Sequence, residues 1–225
     1  MFKKMISIAA VAGLVFALAP AAQGAIITAP DPLPAGGLYR LVFVTNSATN
    51  IDTTSMGHYN TFVTDAAQAV PELKALGTTW TCIGSVPGTN AKTNTETDPG
   101  VHGTGVPIYN LRGLLVAADY SNLWDGAIDT PIDMTELGNT INPSTAHIPT
   151  GTTGSGTTHA KSLGGTDSSN QVTSSTGSFW LFGYGRYSYQ PGSVYGMSGI
   201  IPEPATLALL GLGGIGLLIR RRRRV

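Results

Sequence analysis

The spacing of apolar and polar positions changes along the chain, and each change marks an element. Behind Lys3 and Lys4, residues 6–19 form a mainly apolar block, followed by Ala22-Gln23-Gly24 ahead of Ala25. A positive start, an apolar centre and a small-x-small end describe a secretory signal peptide over residues 1–24, cut between Gly24 and Ala25. Residues 25–38 are rich in Pro and Gly and read as a lead-in loop. Tyr39 to Thr45 is β-branched and aromatic, with Leu41 and Phe43 on one face and Val42 and Val44 on the other. Both faces are apolar, which predicts a central strand.

The period then becomes 3.6. Tyr59, Phe62, Val63, Ala66, Ala67 and Val70 line one helical face, which predicts one main helix over about 55–70. Thr54 or Ser55 stands at its cap, and Pro71 opens a second short turn that Gly77 ends. Thr79 to Ile83 alternates with period 2 and places Trp80 and Cys82 on one face. Cys82 is therefore expected as a small core residue and not as a nucleophile. Residues 84–105 read as a polar loop. Val106–Tyr109 and Leu114–Ala117 read as two strands joined by a turn at Asn110–Gly113. Residues 119–126 read as a helical turn with Leu123 and Trp124 tucked in. From Asn139 to Ser178 the chain is rich in Thr, Ser and Gly and is expected to be one long loop. Phe179–Phe182 opens a final β region, and Val194–Gly199 is the last strand. The expected fold class is α+β: a single domain over 25–200, with a mixed or antiparallel sheet.

The last stretch has a third pattern. Pro202-Glu203-Pro204 precedes an apolar run over 205–219, and Arg220, Arg221, Arg222, Arg223 and Arg224 close it. As a helix rising about 1.5 Å per residue, this run spans roughly 22 Å. That is short of the roughly 30 Å hydrocarbon core, so a transmembrane helix here is a minimal one that stands nearly upright or thins the bilayer. Each arginine costs about 2.5–3.5 kcal/mol at a helix centre, so five together stop translocation. The arginines are then cytoplasmic and the body lies outside.

Composition changes the picture at one point. The whole chain has 13 basic and 13 acidic residues, yet two of the basic residues lie in the signal and five in the tail. All the acids lie between Ala25 and Pro204, so the exported part carries a net charge near −7. This argues against nucleic acid as a partner. With Cys82 the only cysteine, no intramolecular disulfide can form.

Chemical motifs are sparse. The chain has neither a Gly-x-Ser-x-Gly elbow nor a His-Glu-x-x-His pair, which leaves a hydrolase without its usual signatures. Gly211 to Gly216 matches the dinucleotide glycine spacing, but within the apolar tail and with no acidic residue after it. His159-Ala160-Lys161-Ser162 lacks the glycine a P-loop needs. His58, His102, His147 and His159 are scattered. The one cluster is acidic: Asp119, Asp125, Asp129, Asp133 and Glu136. Calcium takes six to eight oxygens from such loops, so calcium is the one metal the sequence nominates, against an acidic solvated loop.

The order Pro202-Glu203-Pro204, Ala205-Thr206-Leu207, apolar run and arginine block resembles the PEP-CTERM sorting signal of exosortase substrates. The resemblance implies export through signal peptidase and a Sec-type route, transient inner-membrane anchoring, and cleavage near the motif by exosortase. It also implies a cell surface or extracellular matrix rich in exopolysaccharide. Segments of the body are similar to one found among exosortase substrates: Tyr39–Thr45, Thr79–Thr81, Val106–Tyr109, Asn122–Gly126, Thr150–Thr152, Phe179-Trp180 and Tyr195–Gly199. That body is distantly similar to endostatin-like, C-type-lectin-like domains, although Pro149 stands where it carries a tryptophan.

The expected function is a sorted surface or matrix protein without enzymatic activity. The alternative is a glycan-binding module using Trp124, Trp180, Tyr184, Tyr187 and Tyr189.

Overall fold

The computed structural model describes residues 24–33, 37–141, 147–172, 175–183, 185–187 and 190–203. The elements run β1 (Leu38–Val44), α1 (Met56–Gln68), α2 (Pro71–Lys74), β2 (Trp80–Ile83), α3 (Ala91–Asn94), α4 (Pro99–His102), β3 (Ile108–Asn110), β4 (Leu115–Ala117) and α5 (Tyr120–Leu123). They continue with β5 (His147–Pro149), β6 (Asp167–Val172), a 3₁₀ turn (Ser178–Trp180), β7 (Gly185–Tyr187), β8 (Tyr195–Ser198) and β9 (Ile201–Pro202). The larger sheet has the order β2-β8-β1-β3-β4, with β9 also on β1. Among its described strand pairs β1–β3 is parallel and the others antiparallel. The sheet is mixed, and the domain combines it with few helices.

The expectation of a central strand holds: β1 lies between β8 and β3. Its two apolar faces feed two cores. Leu41 and Phe43 join Tyr59, Val63, Ala67, Trp80 and Cys82 beneath α1. Val42 and Val44 join Ile83, Ile108, Leu123, Trp124 and Trp180 on the opposite face.

Of the helix stripe, Tyr59, Val63 and Ala67 are buried, Phe62 and Ala66 are half-buried against the same core, and Val70 lies past the end of α1, just ahead of Pro71 at the start of α2. Ser55 occupies the N-cap position, although its hydroxyl makes no cap bond. Helix and sheet are pinned together by amides. Asn60 accepts from the Cys82 N–H at 2.8 Å and exchanges hydrogen bonds with Asn94, whose amide donates to the Cys82 carbonyl at 2.8 Å. The close approach of α1 needs Gly196 on β8, where a Cβ would stand 2.7 Å from Val63 Cγ1 and 2.8 Å from Phe43 Cζ.

Three expectations are corrected. The polar stretch 84–105 contains the short helices α3 and α4. The 139–178 segment is not one loop. It supplies β5 and β6, which form a second, three-stranded sheet with β7. Between them, Thr150, Thr152 and Leu163 are fully buried, and the Thr150 hydroxyl donates to the Leu181 carbonyl at 2.6 Å. Hydroxyls that satisfy one another can fill a core with little apolar content. Finally, Phe179–Trp180 is a 3₁₀ turn and not a strand.

Candidate functional site

The end of the folded body is where sequence and structure meet. Along β1, Val42 faces Met197 of β8, whereas Tyr39 faces Ile201 of β9. Two residues of β1 separate these partners, against three on the other strand, which is a β-bulge over Ser198, Gly199 and Ile200. A bulge reverses which way later side chains point. Without it Ile201 would share the face of Met197; with it Ile201 enters the core beneath α1, 3 % exposed.

The bulge is built by specific groups. The Ser198 hydroxyl accepts from the Leu41 N–H at 2.8 Å and donates to the Gly199 carbonyl at 2.7 Å. Gly199 donates its N–H to the Thr79 carbonyl at 2.7 Å, and a Cβ on it would meet the Thr78 and Thr79 hydroxyls at 2.7 and 2.8 Å. Arg40 reaches in from β1. Its Nη1 donates to the Ser198 carbonyl at 2.8 Å and its Nε to the Tyr120 hydroxyl at 2.9 Å, and it is 3 % exposed.

Beyond the bulge, Pro202 is exposed and faces Leu38. The Glu203 N–H donates to the Gly37 carbonyl at 3.0 Å. Burial raises the pKa of Tyr39, and the Glu203 carboxylate raises it further. The Tyr39 hydroxyl donates to the Thr28 carbonyl at 2.6 Å, so the segment ahead of β1 is tied to the same strand. Gly24 and Ala25 are exposed, two residues ahead of Ile27, whose N–H donates to the Leu111 carbonyl at 2.9 Å.

The remainder of the tail, including Pro204, residues 205–219 and Arg220 to Arg224, lies outside the described residues. No helix among the described residues is long and apolar enough to cross a membrane.

The other nominated residues are dispersed. Among the described residues no group of three or more His, Cys, Asp or Glu side chains is placed to hold a metal ion. The acids of the calcium cluster have separate tasks. Asp119 caps α5 by accepting from the Asn122 N–H, and Asp125 accepts from the Ala127 N–H. Asp133 pairs with Arg112. Glu136 accepts from the Asn46 N–H at 2.7 Å, and burial holds its carboxyl above the usual carboxylate range. The Asp129 N–H donates to the Val116 carbonyl at 2.8 Å.

Cys82 is fully buried, and burial pushes its thiol up to about 12. His58 meets the Thr49 hydroxyl at 2.9 Å, and His159 Nδ1 accepts from the Lys161 N–H. Trp124 and Trp180 stack in the core at 6.0 Å, and Trp124 Nε1 donates to Thr97. Neither is a surface platform for a sugar. Tyr184 and Tyr189 lie outside the described residues, and Tyr187 is placed only as part of β7. Among the described residues the exposed aromatics are Phe179 and Phe182, at 55 and 39 %, with His159 against Phe182 at 4.5 Å. Their sequence signal was present, since each flanks Trp180-Leu181, but expecting a strand hid it.

Residues 201–224 match the model of the PEP-CTERM protein-sorting motif. That motif implies an exosortase as the processing partner, and with it export and membrane-associated sorting. No curated protein matches the chain. The match begins at Ile201, so the first residues of the motif are β9.

Proposed function

We propose that the chain is an exported protein that exosortase sorts to the cell surface or to an exopolysaccharide matrix, where it acts without enzymatic activity of its own. The observation that carries this reading is the motif over 201–224, set directly behind a folded, acidic body. In this reading the signal over 1–24 is removed after Sec-type export. Residues 205–219 hold the precursor in the inner membrane, and Arg220 to Arg224 stay in the cytoplasm. Sorting then cuts near Pro202-Glu203-Pro204. The body supports a non-catalytic role in that Cys82 is buried with its thiol pushed up to about 12, Asp119 caps α5 and Asp133 pairs with Arg112. The test is fractionation of the full chain in hosts with and without exosortase. Processed protein outside the inner membrane only when exosortase is present supports the reading; the same distribution in both hosts overturns it.

A second reading has its own observation. Phe179 and Phe182 are exposed aromatics, Phe182 lies against the His159 ring at 4.5 Å, and the Thr/Ser-rich segment just ahead of His159 carries a cluster of hydroxyls at Thr153, Ser155 and Thr157. Aromatic faces stack on sugar rings, and hydroxyls read sugar hydroxyls. This is the glycan-binding function that the C-type-lectin-like resemblance also implies. Glycan-array binding by the wild type that Phe179→Ser with Phe182→Ser abolishes would favour it. An array that stays silent for both would exclude it.

A further inference from the structure

We infer that the body guards its own sorting motif: β9 must leave β1 before the processing enzyme can take hold of Pro202-Glu203-Pro204. The inference rests on the sorting function proposed above and concerns the regulation of that same site.

Enzymes that cut or transfer peptides read an extended stretch of backbone on both sides of the bond they break. They do so through the same N–H and C=O groups that pair strands. On this chain the backbone leading into the triplet is already paired, and the one N–H that Pro202 and Glu203 have between them is in use. Ile201 and Pro202 face Tyr39 and Leu38 in an antiparallel ladder, and Glu203 donates to Gly37. The Ile201 side chain, which sits just ahead of the triplet, is buried in the core beneath α1. An enzyme that closed around Pro202 and Glu203 in this position would meet the body itself. The motif has no spacer: β8 ends at Ser198, and the motif match begins three residues later.

The guard is short, and that makes it usable. Two paired residues and one buried side chain are the kind of terminal element that opens locally without unfolding the domain. The bulge at Ser198–Ile200 separates β9 from β8, so β9 can peel away while Arg40 and Ser198 hold the end of β8 in place. Sorting then samples a minor open state, and the processing rate follows the fraction of time spent open.

The experiment is pulse–chase of the full-length chain in a host that carries exosortase, with three forms. The first is wild type. The second inserts Gly-Gly-Ser-Gly-Gly-Ser between Ile201 and Pro202, which keeps Ile201 in the core and sets the triplet free. The third is Ile201→Ala, which leaves the spacing unchanged and removes most of the buried anchor. The inserted form is expected to be processed several-fold faster than wild type. Ile201→Ala is expected to be about tenfold more open and correspondingly faster. A thermal melt of each form confirms that its body is folded. Insertion and Ile201→Ala forms that are processed no faster than wild type would overturn the guard while leaving sorting intact. If none of the three forms is processed with exosortase present, the sorting function fails and the guard falls with it.

Discussion

Glu203 donates its backbone N–H to the carbonyl oxygen of Gly37 at 3.0 Å. The middle residue of the Pro-Glu-Pro triplet is thereby bonded to the residue just ahead of the first strand. Front and back of the exported part are joined at the point where the tail departs, and the consequences reach from stability to processing.

Arg40 is the polar anchor of this junction. It is buried and bonded to the Ser198 carbonyl and the Tyr120 hydroxyl, with its guanidinium 5.4 Å from the Tyr120 ring centre. Arg40→Leu leaves those acceptors unpaired in the interior, which costs about 2–4 kcal/mol. Urea denaturation should show a clear fall in midpoint. A change below about 0.5 kcal/mol would mean that solvent replaces the guanidinium freely.

Gly196 is the second structural test. A methyl there would press on Val63 of α1 and Phe43 of β1. Gly196→Ala is expected to destabilise by about 1–3 kcal/mol through overpacking, measured by the same denaturation. A neutral result would show that α1 can slide away from the sheet.

Glu136 sets a pH dependence. Its carboxyl is raised chiefly by burial, with the Asn46 N–H pulling the other way. A group whose folded pKa is raised contributes stability that is present below its unfolded pKa and lost as pH rises through the folded one. Glu136→Gln keeps an acceptor for Asn46 and cannot ionise. Compared with wild type, it should gain stability at pH 7 relative to pH 4. Equal differences at both pH values would show that the carboxyl ionises in the fold without penalty.

Calcium gives a fourth outcome. Asp119, Asp125, Asp133 and Glu136 already accept from backbone N–H groups or pair with Arg112. Millimolar calcium should therefore move the melting temperature by no more than about 1 °C, since only a ligand that binds the native state shifts it. A rise of several degrees, reversed by chelator, would show a site built from these acids.

Much of the helix-side core could be read in the sequence because its signals are local. The stripe from Tyr59 to Val70 and the doubly apolar run Leu41–Val44 each carry their own period, and both pack as those periods require. The Thr/Ser/Gly segment was opaque for the opposite reason. Thr150, Thr152 and Ser85 are buried through hydroxyl bonds to one another and to distant carbonyls, and no apolar rhythm records that. The motif triplet was legible as an address. Its docking was not, because a bulge at Ser198–Ile200 shifts the register by one residue and aims Ile201 inward. Arg40 was hidden too: a lone arginine in an apolar strand gives no sign of partners 80 and 158 residues away.

The most direct test of the account is the intact mass of the protein recovered from an exosortase-bearing host, for wild type and for the form with Pro202, Glu203 and Pro204 all changed to alanine. Wild type should have lost both residues 1–24 and the arginine-ended tail, while the alanine form should have lost only the former and remain in the inner membrane. The same processing of both forms, once the mass of the three substitutions is allowed for, would contradict the sorting function.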